Sequence, residues 1–451
     1  METDSTRPTG MTAFIIIWIG QILSLLGTAI SNFGLTLWAW EVSGKATSLT
    51  LVGFFFTLPM VVLSPIVGVL VDRANRKLMM MLSDLAAAAT TLFILILYLS
   101  GSLEIWHLYI AAFISGTFQG FQFPAYSAAI TTMLNKKHYA RANSMLDMAG
   151  TASGIFAPML AGALIGPLGL KGLLTIDLVS ASFAIGSLLF VNIPQPVISE
   201  TGRQAQGNFW KQAIYGFDYI FKRPSLLGLQ TIFLSANFFF SIAFAVFAPM
   251  ILGRTNNNQV IFGSVQSAFA VGGLAGGLVM SVWGGPKRRI HGLLLGLAAT
   301  GIPLCFLGVG QTLPVWLAAA LTLTAITPML NGSSQAIWQA KVPPDVQGRV
   351  FATRRLIAML VSPFARLISG PLADNVFEPA MQSDGALTSL FGGLVGTGNG
   401  AGIGLMYVIC GIFALVVPLG GYMIPLIRNV EDLLPDHDAA AAAAPESAPT
   451  D

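Results

Sequence analysis

Charged side chains are scarce in this sequence. Among its 451 residues only 10% are Asp, Glu, Lys or Arg, while 54% are hydrophobic and the mean hydropathy is +0.73. An ordinary soluble domain carries roughly 25% charged residues, and it uses them to cover its surface. The composition therefore excludes a soluble globular protein and indicates that lipid is the solvent for much of the chain.

Cysteine, histidine and net charge are also low, and each shortage excludes a class of protein. The two cysteines, Cys305 and Cys410, lie inside apolar runs, and the four histidines are far apart in the chain. A disulfide framework and a zinc site are therefore excluded. A net charge of +3 gives no electrostatic footprint for nucleic acid, and we expect none as a partner.

The sequence also lacks the motifs of an enzyme. It contains no set of nucleophile and base or of metal ligands, and it has no Walker A loop through which ATP would act. The glycine-rich stretch GTGNGAGIG (396–404) does not satisfy G-x-G-x-x-G and follows no predicted strand. We interpret it as a flexible or re-entrant stretch before the last span. We expect no enzymatic activity and no cofactor, with a proton or other ion gradient as the energy source.

Long apolar runs, by contrast, are abundant. A helix needs about 20 mostly apolar residues to cross a bilayer. Twelve runs satisfy this requirement, which predicts an all-α membrane protein: 12–40, 48–71, 78–100, 105–133, 142–166, 170–192, 225–253, 258–283, 290–310, 314–340, 348–373 and 401–428.

The distribution of basic residues predicts the orientation of these spans. If the N-terminus is cytoplasmic, the segments on the inside hold 19 of the 23 Lys and Arg residues, and the loops on the outside hold three. The remaining one, Arg366, lies within a span. Both termini are therefore expected in the cytoplasm, and we expect a multi-pass protein of the bacterial cytoplasmic (inner) membrane.

The longest break between spans divides the chain into two sets of six. We predict an N-terminal half (1–192), a cytoplasmic linker (193–224) with an amphipathic helix on the inner leaflet, a C-terminal half (225–430) and a disordered tail (431–451). An ordinary connector remains the alternative for the helix. The two halves are weakly similar at an offset of 208 residues, where Arg141 falls on Arg349, as expected for a transporter built from repeats.

A hydrophilic turn, GVLVDRANRK (68–77), joins the second and third spans. It resembles the loop signature of the major facilitator superfamily, G-x-x-x-D-R-x-x-R-K, in every charged position, with Asn75 where many members have glycine. The resemblance implies two six-helix halves and a conformational latch between them, in which Asp72 caps the helix that begins near Arg349. Asp84 or Asp147 are candidate arginine partners, and a turn that only sets topology is the alternative. The implied latch residues are Gly68, Asp72, Arg73, Arg76, Lys77 and Arg349.

A closer resemblance is to the macrolide-efflux and enterobactin-exporter-like branch of that superfamily. It is carried by PIVGVLVDRANRKLMMMLSD, QFPAYSAA with KKHYARAN, IDLVSASFA, VPPDVQGRVFA with SGPLAD, and GTGNGAGIGLMY. It implies an exporter that works as a monomer. The fourth span lacks the arginine associated with proton antiport, and the antiporter Gly-Pro motif of the fifth span is present only as Ala157-Pro158 with Gly162.

In the fold that this resemblance implies, the first, fourth, seventh and tenth spans line a central cavity. Each of the four carries polar residues at helical spacing, which are costly when they face lipid. Hydrogen bonds between helices that only assemble the bundle are the alternative. Arg366 needs a partner, either Glu41, Asp374 or an anionic substrate. The predicted cavity residues are Gln21, Thr28, Asn32, Gln119, Gln122, Tyr126, Asn237, Asn331, Gln335, Trp338 and Arg366.

Acidic residues inside spans are candidates for carrying protons. Asp147 is our first candidate and Glu41 our second, whereas Asp84 and Asp177 lie on helices expected at the periphery and are interpreted as structural. We predict a secondary active transporter, a proton-coupled exporter of bulky amphipathic compounds such as drugs, macrolides, peptide natural products or siderophores. Its partners are the lipid bilayer and this small molecule. An importer or facilitator of a small organic solute, or a non-transporting sensor, is the alternative.

Overall fold

The computed structural model describes residues 8, 10–73, 75–134, 138–193, 209–343 and 346–434. Within these ranges it leaves out the side chains at 64–73, 123–124, 127–128, 131, 139–141, 143–144, 147, 209–214 and 347–349. The described part of the chain is almost entirely helical, and ten of its helical segments are long and apolar enough to cross a membrane. The prediction of an all-α membrane protein is confirmed.

Each predicted span coincides with helical structure. The helices are α1 (Gly10–Ser43), α2 (Ala46–Arg73), α3 (Arg76–Leu99), α4 (Ile105–Met133), α5 (Tyr139–Phe190), α6 (Phe209–Phe221), α7 (Pro224–Ala245), α8 (Phe247–Arg254), α9 (Gln259–Trp283), α10 (Arg289–Val309), α11 (Leu313–Lys341), α12 (Gln347–Leu372), α13 (Thr388–Val395) and α14 (Ala401–Met423). A π-helical turn, Ala373–Phe377, follows α12, and short turns occupy Glu378–Ala380, Pro425–Arg428 and Val430–Leu433. We call α1–α5 the N-terminal half and α7–α14 the C-terminal half.

The helices run up and down between two ends of the molecule. The basic end carries the turns rich in Lys and Arg, such as those that contain Arg76, Lys222 and Arg289. The other end, called here the opposite end, carries the turns at residues 44–45 and 255–258. α2 runs from the opposite end to the basic end and α12 runs back, so the two helices pack antiparallel.

Two breaks in the long helices have a local cause. α5 covers two predicted spans, and its backbone leaves the helical region at Gly169 (φ 63°, ψ −178°), directly after Pro167 and Leu168. Only glycine adopts this conformation without strain. The seventh predicted span breaks at Val246 because Pro249 has no N–H for the carbonyl of Ala245 and its ring crowds that carbonyl.

A seam of small residues holds α1 against the second part of α5. Gly20, Gly27 and Gly34 recur every seven residues, and a β-carbon at the first two would clash with Ser187 and Ser180 of α5. Such close approach of backbones is a common way to pack helices in a membrane, where no hydrophobic effect drives association. The seam therefore brings the backbones of α1 and α5 close together.

Helix α6 forms where the amphipathic helix is predicted, but its described part packs on protein. Tyr219 and Ile220 are buried in the apolar core of the C-terminal half at the basic end. The Tyr219 hydroxyl donates to the carbonyl of Lys341 at 3.1 Å, while Phe221 is 59% exposed. The helix is therefore attached to the C-terminal half rather than only resting on lipid.

The two halves meet near the opposite end. Phe33 of α1 stacks on Phe262 of α9 at 4.9 Å between ring centroids, and Trp40 Nε1 donates to Asn257 Oδ1 at 2.7 Å. Deeper in the molecule, Ser267 donates to the carbonyl of Ile155 at 2.7 Å. These contacts hold α1 and α5 against α9 on this side of the molecule.

Candidate transport site

Two predicted cavity residues of the N-terminal half converge on one buried acid. Asp84 of α3 is 3% exposed. Gln21 Nε2 of α1 donates to its Oδ2 at 2.7 Å, and Gln122 Nε2 of α4 donates to its Oδ1 at 2.8 Å. Gln122 Nε2 also donates to Gln21 Oε1 at 3.0 Å. We call these three residues the amide–carboxylate cluster.

A second buried acid lies further along the same helices. Asp177 of α5, 4% exposed, accepts hydrogen bonds from Thr28 Oγ1 of α1 at 2.8 Å and from Thr91 Oγ1 of α3 at 2.7 Å. Neither Asp84 nor Asp177 forms a salt bridge with a cationic side chain that the structure describes. Gln21, Thr28 and Gln122 therefore bond to residues of neighbouring helices, as the alternative of hydrogen bonds that assemble the bundle predicts.

The C-terminal half has a cationic counterpart. Arg354 of α12 donates from Nη1 to Gln335 Oε1 at 3.0 Å and from Nη2 to Ser334 Oγ at 2.7 Å. Its guanidinium lies 5.2 Å from the ring of Trp338, which is 1% exposed. The structure thus brings Gln335 and Trp338 together around an arginine that the sequence reasoning did not select.

The remaining predicted cavity residues lie in several environments. Asn237 Nδ2 donates to the carbonyl of Ala358 at 3.5 Å. Tyr126 is 7% exposed, and its hydroxyl has no hydrogen-bond partner among the described residues. Three residues are exposed: Asn32, Gln119 and Asn331.

The structure describes only part of the predicted latch at the basic end. Gly68, Asp72, Arg73 and Arg349 lie outside the described side chains, so their roles stay predictions. The first described member, Arg76, is 9% exposed.

Lys77, another predicted latch residue, and the neighbouring Asn75 bond to groups of the N-terminal half. Lys77 Nζ donates to the carbonyl of Val191 at 2.7 Å, beyond the end of α5. Asn75 accepts from Leu78 N at 3.2 Å and caps α3. The departure from glycine at position 75 therefore supplies a cap.

A latch-like contact that the sequence reasoning missed occurs at the opposite end. The carboxylate of Asp374, just after α12, accepts from Ala46 N at 2.9 Å and from Thr47 N at 2.8 Å. It thereby caps α2 across the boundary between the halves. The segment Gly370–Asp374 (GPLAD) has the same glycine–x–leucine–x–aspartate spacing as residues 68–72 (GVLVD), a signal that was available in the sequence.

Arg366 lies where α12 crosses α2. Its guanidinium packs on Gly53, where a β-carbon would clash with Nη1, and its buried Nε has no hydrogen-bond partner among the described residues. Neither expected partner is paired with it in this structure. Asp374 caps α2, and Glu41 is exposed at the opposite end and accepts from Gln259 Nε2 at 3.3 Å. The Asp147 side chain is outside the described residues.

Two half-buried charges bond to the glycine-rich stretch before α14, whose interpretation as a flexible or re-entrant stretch stays a prediction. Arg254 donates to the carbonyls of Gly400 at 3.0 Å, Gly308 at 2.7 Å and Val395 at 2.8 Å. Glu378 accepts from the N–H groups of Gly400 at 3.0 Å and Ile403 at 2.9 Å, capping α14.

Comparison with known proteins identifies the family. The model of the Major Facilitator Superfamily matches residues 17–365. The chain belongs to the Major Facilitator Superfamily. Its members are transporters rather than enzymes, so this is a multi-pass membrane transporter whose surroundings are the lipid bilayer and whose ligand is a small molecule.

Several relatives within this superfamily are efflux proteins. The chain is 26% identical to macrolide efflux protein A of Streptococcus pyogenes over 370 residues, covering 80% of this chain and 90% of that protein. It is 27% identical to macrolide efflux protein A of Enterococcus faecalis over 328 residues, 71% of this chain and 98% of that protein. The multidrug efflux pump Tap of Mycolicibacterium fortuitum is 25% identical over 377 residues, 79% and 90% of the two chains.

Solved structures share the fold. A bacterial homolog of the human lysosomal transporter Spinster, inward-facing and unoccupied, superposes with a TM-score of 0.69 at 15% identity, covering 93% of this chain and 98% of that one. The D-xylose-proton symporter gives a TM-score of 0.59 at 15% identity, covering 89% and 96%. These similarities confirm the predicted superfamily fold.

Proposed function

We propose that this protein is a proton-coupled exporter of bulky amphipathic compounds, drugs and macrolides among them, in the bacterial inner membrane. The observation that carries the proposal is the similarity to macrolide efflux proteins over 90% and 98% of their lengths. An exporter of this kind works as a monomer and draws on the proton gradient, with both termini in the cytoplasm.

The chemistry of the polar helices supports this class of substrate. The amides of Gln21 and Gln122 and the ring of Tyr126 lie on α1 and α4, and Gln335 and Trp338 lie on α11. Amides and aromatic rings suit a large ligand with both polar and apolar surface. Arg366 supplies a cationic contact for an acidic group on some substrates.

Alternating access supplies the mechanism. Asp374 holds the opposite end closed by capping α2 from the C-terminal half. At the basic end we assign the equivalent cap to Asp72 of α2, whose carboxylate would cap the first turn of α12. The other latch residues around it are Gly68, Arg73, Arg76, Lys77 and Arg349. Only one of the two caps is formed at a time, so the cavity opens to one side of the membrane and then to the other.

Transport by the purified protein in proteoliposomes tests the function. A panel of macrolides, cationic dyes and a siderophore is offered with and without an imposed pH gradient. We expect gradient-driven movement of at least one bulky amphipathic compound, and its loss in Asp147→Asn if Asp147 carries the proton; Glu41→Gln tests the second candidate. Downhill movement that ignores the gradient would instead indicate a facilitator, and movement of small hydrophilic solutes alone would refute the substrate class.

A further inference from the structure

We propose that Asp84 is a proton-binding residue of the transport cycle and that Gln21 and Gln122 transmit its protonation to α1 and α4. The inference rests on the proposed function, because it names the site at which the coupled proton binds. It departs from the sequence reasoning, which interpreted Asp84 as structural.

The hydrogen bonds of the cluster depend on the charge of Asp84. Both carboxylate oxygens accept from amide nitrogens, at 2.7 Å and 2.8 Å, and an ionised carboxylate only accepts. When a proton binds, one oxygen becomes a donor that faces an N–H group, which is also a donor. The pair then separates, or the amide rotates to present its oxygen.

Rotation of one amide disturbs the other. Gln122 Nε2 donates to Gln21 Oε1 as well as to Asp84. If Gln21 turns its oxygen toward the protonated acid, its nitrogen faces the nitrogen of Gln122, and this contact is lost too. One proton on α3 therefore changes contacts on both α1 and α4, two helices with predicted cavity residues.

Asp177, a second buried acid of the same half, has hydrogen-bond partners of a different kind. Its partners Thr28 and Thr91 are hydroxyls, and a hydroxyl can both donate and accept. When Asp177 is protonated, one threonine hydroxyl can rotate its O–H bond away and accept from the acid, so no side chain has to move. Asp84 has amide partners and Asp177 has hydroxyl partners. We therefore expect protonation of Asp84, rather than of Asp177, to move side chains of α1 and α4.

No described cation competes for the charge of Asp84. Tyr126, one turn beyond Gln122 on α4, is the nearest titratable side chain of that helix, and its hydroxyl has no partner among the described residues. Asp177 meets α3 at Thr91, two turns from Asp84. The other titratable or charged residues on α1–α5 lie nearer the helix ends or have side chains that are not described: Glu41, Asp72, Arg73, Arg76, Lys77, Tyr98, His107, Tyr109, Tyr139, Arg141, Asp147 and Lys171.

The step consists of binding and release. Asp84 takes a proton from water that reaches the cavity from one side of the membrane, forming an O–H bond and losing its negative charge. After the halves rearrange, the proton returns to water on the other side, and the two amides again donate to the carboxylate. Only water is needed as donor and acceptor.

Infrared difference spectroscopy of the purified protein during a pH titration tests the site without any substrate. We expect a protonated-carboxyl band in the wild type that is missing in Asp84→Asn and retained in the matched control Asp177→Asn. An identical band in wild type and Asp84→Asn overturns the proposal. If Asp84→Asn does not fold, Gln122→Leu provides the test, because it removes one donor to the carboxylate. The titration midpoint of the band should then shift, and an unchanged midpoint overturns the proposal.

Transport assays of the same variants provide a second, independent test. Asp84→Asn is expected to lose gradient-driven accumulation while it still binds and exchanges substrate, and Asp177→Asn to keep both. Full gradient-driven accumulation in Asp84→Asn refutes the inference and leaves the exporter intact. A wild type that shows the infrared band but transports nothing under a gradient refutes the exporter while the proton site stands.

Discussion

Removing the cap that Asp374 places on α2 is expected to shift the balance between conformations open at either end. The carboxylate accepts two backbone N–H bonds from the first turn of α2, at 2.9 Å and 2.8 Å. Replacing an N-cap Asp by Ala costs about 1 kcal/mol, and losing a negative charge at a helix N-terminus costs about 0.5 kcal/mol more. A total of about 1.5 kcal/mol changes an equilibrium about tenfold. Asp374→Ala should therefore raise the ratio of opposite-end-open to closed molecules about tenfold.

Distances between spin labels measure this ratio. The two native cysteines are replaced by alanine, and labels are attached to cysteines at Lys45 and Gln382, which are exposed on either side of the boundary. Asp374→Ala should transfer population from the short to the long distance. Glu104→Ala is the matched control, because Glu104 is an exposed acid at the same end that bonds only within the first turn of α4, to Trp106 Nε1 at 2.8 Å.

An unchanged distance distribution in Asp374→Ala would refute the reasoning, since the cap would then contribute equally to both conformations. A shift of the same size in Glu104→Ala would refute it too, because loss of any acid at this end would suffice.

Three further predictions concern packing and charge. Arg254→Lys should lower the free energy of unfolding by about 2 kcal/mol or more, because an ammonium cannot reach the separate carbonyls that the guanidinium bonds. Thermal melting in detergent measures this loss, and an unaltered melting temperature would contradict the prediction. Gly116→Ala should destabilise the protein because its β-carbon would clash with the backbone oxygen of Phe56. Gly150→Ala, with open space around it, should be neutral or slightly stabilising. Equal melting temperatures for the two variants would contradict this packing of Gly116 on Phe56. Lys77→Met should cost about 1 kcal/mol by losing its bond to a carbonyl and should also slow transport, because Lys77 belongs to the proposed latch. Full transport at lowered stability would contradict the latch role and leave Lys77 as a residue that only holds α3 to the end of α5.

The spans were predictable because each depends on a local property, a run of apolar residues as long as the bilayer is thick. The breaks depend on tertiary context as well. Pro249 explains the break before α8, yet Pro303 lies within the continuous helix α10, so proline alone does not decide where a helix ends.

The site was only partly predictable for a different reason. Gln21 and Gln122 were selected by their helical spacing, but Asp84 lies 63 and 38 residues from them along the chain, and no local pattern reports that they meet. The cap by Asp374 joins residues 328 positions apart. Its signal was the likeness of GPLAD to GVLVD, which becomes meaningful only when α2 and α12 are known to be antiparallel neighbours.

Proton movement during transport tests the central claim, export coupled to protons, most directly. A pH-sensitive dye is enclosed in proteoliposomes, and a macrolide is added on one side without any imposed gradient. The account predicts a pH change that requires the protein and saturates with macrolide concentration. Its sign should show that protons move in the direction opposite to the macrolide. Macrolide movement without any pH change would contradict proton coupling, and absence of both would contradict the proposed exporter.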